Sequence, residues 1–175
     1  MRYDNLLSFV TPGTPLSVVG ANTTFNSTAL DLSSFGSGVA NTNIIGTPTS
    51  FGTDLGIGRM RAEILAVIGT AFATATSATL NAALQFAPDN GSNAAGTYVT
   101  TMETGAMTAA QLTAGTGICR WSFPPVFPQN MRPRFVRIQF TVVNTSTAGT
   151  IAYAILTPAR DDLGFLQAAR NYAVA

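Results

Sequence analysis

Residues 130–158 read NMRPRFVRIQFTVVNTSTAGTIAYAILTP, and between 134 and 143 polar and apolar side chains alternate. Successive side chains of an extended strand point to opposite faces. Phe135, Arg137, Gln139 and Thr141 therefore share one side, and Val136, Ile138, Phe140 and Val142 share the other. The second set belongs to a core. NTSTAG at 144–149 reads as a turn into TIAYAILTP at 150–158, an almost uncharged strand. Two such runs joined by a short turn are expected to pair as an antiparallel hairpin.

The same two-residue period recurs upstream. RMRAEILAVI at 59–68 sets Met60, Ala62, Ile64, Ala66 and Ile68 on one face, with Arg59, Arg61 and Glu63 opening the other. SATLNAALQFAP at 77–88 turns Leu80, Ala82, Leu84 and Phe86 inward and Thr79, Asn81 and Gln85 outward, before PDNGSN reverses the chain at Asn90-Gly91. GTYVTTMETG at 96–105 is a third strand. TGICRWSF at 116–123 is a fourth, with Cys119, Trp121 and Phe123 on its core side. PPVFPQNMRP at 124–133 holds four prolines, which lack donors and cannot continue a ladder. Short strands separated by Gly, Asn, Pro and Ser clusters are the pattern of an all-β sandwich or barrel.

The first 58 residues differ. From residue 11 they are dense in Gly, Pro, Thr, Ser and Asn, with apolar runs that are only short, at 16–19 and 29–32. They are expected to form an extended arm or long loops ordered by lying on a neighbour, with short strands where those runs fall. Residues 159–175 are expected to form a tail, with a short helix near 164–169 as an alternative. At 175 residues the chain is long enough for one core and too short for two, so 1–175 reads as a single β-sandwich domain whose main strands span 59–158.

Charge narrows the partners. Only 10% of residues are charged and the net charge is +1, unlike a free-standing small domain and suited to an assembly. All nine basic residues are arginine, the cation enriched in protein interfaces where lysine is depleted. GC-rich codon usage produces the same bias, and both readings stay open. A protein neutralising many phosphates would carry a strong positive charge, so no direct nucleic-acid partner is expected. No stretch reaches the roughly 20 apolar residues of a spanning helix, and the start lacks the signature of a secretion signal. No membrane association is expected, and synthesis in a reducing cytoplasm suits the single cysteine.

Chemistry narrows it further. Without histidine or lysine, Ser-His-Asp, Cys-His and Schiff-base catalysis are excluded. One cysteine and no histidine leave no zinc site, and PDNGSN lacks the carboxylates of a calcium loop. Asp161-Asp162 are adjacent and point apart, so they read as a solvated turn and not as a glycosidase pair. No cofactor and no enzymatic activity are expected. A platform for single-stranded nucleic acid built from Trp121, Arg134, Phe135 and Arg137 is a rival, opposed by the balanced charge. A carbohydrate module is disfavoured by the inward direction of Trp121.

The succession of pieces carries more. YDNLLSF at 3–9, STALDL at 27–32 and GTDLGIG at 52–58 lead into the strand at 59. SATLNAALQFAPDN at 77–90, QLTAGTGICRWSFPP at 111–125, the arginine-bearing stretch 134–158 and a closing RNYAVA follow. This order resembles the cement (decoration) proteins of tailed double-stranded DNA bacteriophages, of the Bordetella phage type. The chain departs from that pattern in a longer Gly/Thr/Ser-rich stretch between Leu32 and Asp54, and in lacking a Gly-Phe pair after Tyr172.

The resemblance implies a jelly-roll-like antiparallel β-sandwich on the outer surface of a virion capsid. It implies binding to a different major capsid protein and self-association, as homodimer or homotrimer, at icosahedral symmetry positions. Another β-sandwich virion component, a minor or major capsid subunit, is the alternative. Candidate interface residues on this reading are Arg59, Arg61, Arg132, Arg134, Phe135 and Arg137.

Overall fold

The computed structural model describes residues 8–32, 62–92, 94–122 and 133–158. They form an antiparallel β-sandwich. One sheet runs in the order β1 (Ser8–Val10), β12 (Thr150–Pro158), β5 (Ala62–Ile68), β10 (Gly117–Ser122), with β2 (Leu16–Ser17) also on β12. The other runs β3 (Ala21–Asn26), β11 (Phe135–Ala148), β7 (Thr79–Ala87), β8 (Val99–Glu103). The short β4 (Leu30–Asp31) and β6 (Ala73–Thr74) also pair with β11, and β9 (Met107–Thr108) pairs with β7. Counting the long strands in chain order, the first sheet takes the first, eighth, third and sixth, and the second takes the second, seventh, fourth and fifth. That interleaving is the jelly-roll topology.

Alternation places the core as expected. Val136, Ile138, Phe140 and Val142 on β11, and Leu80, Ala82, Leu84 and Phe86 on β7, have 0% exposure. Ile64, Ala66 and Ile68 on β5 and Ile151, Ala154 and Leu156 on β12 meet them from the other sheet. On β10, Cys119 and Trp121 face inward, opposite Ala66 and Ile64. Ile118 is buried too, because the register shifts between Gly117 and Cys119 and a bulge re-aims the side chain.

The hairpin expected at 134–158 does not form. β11 pairs with β3 and β7, whereas β12 pairs with β1 and β5, so the two lie in opposite sheets. The supposed turn NTSTA is strand as far as Ala148, and the chain crosses at Gly149, whose φ is 148°. A Cβ there would sit 2.8 Å from Phe72 Cδ2 and 3.2 Å from Val18 Cγ2. Two apolar faces are satisfied by packing face to face across the core, which a flat hairpin would leave half exposed.

The N-terminal region also differs from an arm over much of its length. The runs at 16–19 and 29–32 hold β2 and β4 as expected, and β1 and β3 are added to them. Phe9, Val18 and Leu30 are core residues at 1%, 0% and 5% exposure. Two serines seal this region to β11. Ser27 Oγ accepts the Ile138 N–H at 2.9 Å while the Ser27 N–H donates to the Ile138 carbonyl at 2.9 Å. Ser146 Oγ accepts the Gly20 N–H at 2.9 Å and donates to the Val18 carbonyl at 2.9 Å. Immediately after Ser27, the Thr28 N–H donates to Phe9, carrying the chain toward the other sheet. The expected arm segment 33–58 and tail 159–175, with its alternative helix, lie outside the described residues.

Candidate protein-interface site

The outer face of the β3-β11-β7-β8 sheet carries the outward half of every alternating strand. In the row that crosses it at Gln85, Gln139 Nε2 donates to Asn26 Oδ1 (3.2 Å) and Gln85 Nε2 donates to Gln139 Oε1 (3.1 Å). Gln85 Nε2 also donates to Thr100 Oγ1 (3.2 Å), and its Oε1 accepts the Arg137 Nε–H (2.9 Å). The Arg137 guanidinium lies over the Tyr98 ring at 3.7 Å from the centroid. Gln85, at 7% exposure, is thus a buried amide with its donors and acceptor engaged. Burial raises the Tyr98 phenol above its ordinary value, and the Arg137 charge partly offsets this. A second row joins Asn81 Nδ2 to Glu103 Oε2 (3.0 Å) and Thr104 Oγ1 to Asn81 Oδ1 (3.2 Å). The result is a polar face held by its own cross-strand bonds, so its side chains need little further ordering when a partner docks.

Arg134 plays an internal part. Its Nε donates to both Asp31 oxygens (3.0 and 3.2 Å), Nη2 donates to Asp31 Oδ2 (2.8 Å), and Nη1 pairs with Asp89. The guanidinium also lies 5.1 Å from the centroid of the Phe135 ring. These bonds pin β4 and the segment after β7 to the start of β11. Hydrogen bonding to Asp31 is the largest cause raising the Arg134 pKa, with Asp89 adding to it. Phe135, expected on the accessible side, is only 9% exposed and pairs with the fully buried Ala87. Arginine and aromatic ring are therefore spent within the chain, and the accessible pair is Arg137 with Tyr98.

The outer face of the other sheet is more apolar. Leu65 pairs with Ile155 and Val67 with Tyr153, while the Glu63–Arg120 pair (2.8 Å) stands at one end. With the Arg120 side chain 59% exposed, that pair contributes little to stability. All four described carboxylates, Asp31, Glu63, Asp89 and Glu103, are bonded to a neighbouring side chain.

A family model described as Bbp16 matches residues 28–155. The chain belongs to the Bbp16 family. Bbp16 is a Bordetella phage protein family, in agreement with the resemblance read from the succession of motifs. No curated protein matches the chain. The Bbp16 match takes in β4 to β11 and most of β12, and with them Arg134, Phe135, Arg137 and the Gln85–Tyr98 row. Of the expected interface residues, Arg59, Arg61 and Arg132 lie outside the described residues. Sequence reasoning placed Gln85 outward but did not single out Gln85, Tyr98, Thr100 or Asn26. An outward glutamine directly across from an arginine on the neighbouring strand was the available signal, legible only once the β7–β11 register is known. No helix among the described residues is long and apolar enough to cross a membrane.

The one thiol of this Bbp16 chain sets an alkaline limit. Burial pushes the Cys119 pKa from 9.0 up to about 12, with an Ala66 backbone hydrogen bond acting in the opposite direction. The folded state keeps this proton to higher pH than the unfolded state does. The corresponding stability is whole below the unfolded value and is lost as pH rises toward the folded one. Stability is expected to fall between pH 9 and about 12 by up to about 1.4 kcal/mol per pH unit, with Tyr98 adding in the same direction above its ordinary 10.0. Urea titrations across that range should show a shallower decline for Cys119→Ala. An unchanged slope would refute the assignment to the thiol.

Proposed function

We propose that this chain is a capsid cement (decoration) protein, bound on the outer surface of a phage head and bridging capsomers of a different major capsid protein. The observation that carries the reading is the broad polar sheet face, bonded to itself and presenting Arg137 stacked on Tyr98, on a chain of a phage family. Arginine held flat by an aromatic ring is a preorganised donor for carboxylate or carbonyl groups of a shell. Packaged DNA pushes capsomers apart. A protein that spans their seam adds interface area that must be lost before they separate. Repetition by symmetry supplies avidity, so each contact can be modest. The role is static and takes no cofactor; self-association as a homodimer or homotrimer would extend the bridge.

The test is to mix purified protein with undecorated shells and measure co-sedimentation and thermal or osmotic rupture. Saturable binding with later rupture is expected, and Arg137→Ala should weaken binding about tenfold with little loss of fold. Shells that neither bind the protein nor gain resistance would overturn the reading. Shells that never assemble in its absence would make it a shell subunit instead.

A further inference from the structure

β3 (Ala21–Asn26) ends its sheet, and among the described residues no strand lies on its far side. The ladder tells which backbone groups face that side. Ser27 N–H donates to Ile138, and the register continues through Phe25↔Phe140 and Thr23↔Val142. Neighbouring residues of a strand turn their N–H and C=O to opposite edges. Thr23 and Phe25 therefore use theirs on β11, as Ser27 uses its N–H, while Thr24 and Asn26 aim theirs outward. Asn22 drops out of the regular stretch, because its φ is 47° and its side chain accepts the Asn144 N–H.

Among the described residues, the regular stretch of this edge from Thr23 to Asn26 lacks the charge and proline that usually protect an edge. ANTTFN holds no charge and no proline, and every residue but Phe25 is exposed. Phe25 is half buried and packs its ring against the core. The other end strands differ: β1 is three buried residues long, β10 carries Arg120 and β8 carries Glu103, so pairing either of the last two with a copy of itself sets like charges on one edge.

We propose that two copies of this chain join β3 to β3, antiparallel, about a two-fold axis through Phe25. In that register Thr24 faces Asn26 of the second copy and Asn26 faces its Thr24, which satisfies four outward N–H and C=O pairs. Phe25 meets Phe25 of the second copy in the close, non-hydrogen-bonded position, an aromatic pair on the core side. The two sheets become one of eight long strands, and the Asn26–Gln139–Gln85 row runs on across the axis. The proposal deepens the self-association named under the proposed function, yet needs no shell.

Sedimentation of the free protein tests it, so failure to bind shells and failure to dimerise are read separately. A concentration-dependent dimer is expected. Thr24→Lys, which sets a cation on an exposed outer position, should weaken it at least tenfold while leaving the melting temperature nearly unchanged. Phe25→Cys should oxidise to a covalent dimer, since facing Cβ atoms at about 4.5–5.5 Å are near disulfide reach and Cys119 is buried. A protein that stays monomeric at every concentration overturns the proposal. So does a dimer indifferent to Thr24→Lys, and a persisting Phe25→Cys dimer that does not cross-link overturns the register.

Discussion

Removal of residues 1–25 is expected to abolish cooperative folding. The deletion takes β1 from the edge of β12 and all but one residue of β3 from the edge of β11. It also takes Phe9, Val10 and Val18 from the core, at 1%, 5% and 0% exposure, and Leu16 and Phe25 from its flank. Burying each large apolar side chain is worth roughly 1.5–3 kcal/mol, so the three core residues alone represent about 5–9 kcal/mol. Whole domains are stable by only about 5–15 kcal/mol. Gly20 is removed as well, leaving the hydroxyl of Ser146, at 3% exposure, without its Val18 and Gly20 partners. Circular dichroism should show no cooperative melt. A truncated chain that melts like the full one would refute the place of β1 and β3 in the sandwich.

Phe140→Ala is expected to lower stability by about 3–5 kcal/mol, the range for emptying a buried aromatic site. Phe140 has 0% exposure, lies between Phe25 on β3 and Ala82 on β7, and cannot be replaced by collapse of a sheet ladder that stays in register. Three residues earlier, Arg137 points the other way and rests on Tyr98. Its loss forfeits a stack worth about 0.5–1 kcal/mol near a surface, together with the bond to Gln85. In urea the midpoint should therefore drop several times further for Phe140→Ala than for Arg137→Ala, with the slope unchanged in both. Equal effects would refute the assignment of the two faces of β11.

How far such assignments were legible follows from the range of the signal. Period-two alternation is local, so the core faces of β5, β7, β10 and β11 could be read directly. β3 could not, because a strand with only one large apolar residue, Phe25, leaves no period to detect. The partner of β11 was misread for a related reason: a turn-like composition at 144–149 says nothing about which sheet the chain enters next. Arg134, Phe135 and Arg137 look alike in sequence as an arginine-rich surface. Asp31 and Asp89, far away in the chain, convert Arg134 into an internal clamp, and Phe135, paired with Ala87, is only 9% exposed, leaving Arg137 to the surface.

By itself the sequence determined that this is an all-β chain, which residues face its core, that histidine and lysine chemistry is closed to it, and that its motifs run in a phage-family order. Those are properties of composition and nearest-neighbour period. Only the tertiary structure decided that β11 and β12 lie in opposite sheets, that residues 8–32 belong to the sandwich, and that Arg137 stands on Tyr98 while Arg134 holds Asp31 and Asp89. These depend on pairings between residues scores of positions apart, settled by the burial of two apolar faces against each other and recorded nowhere in a local pattern.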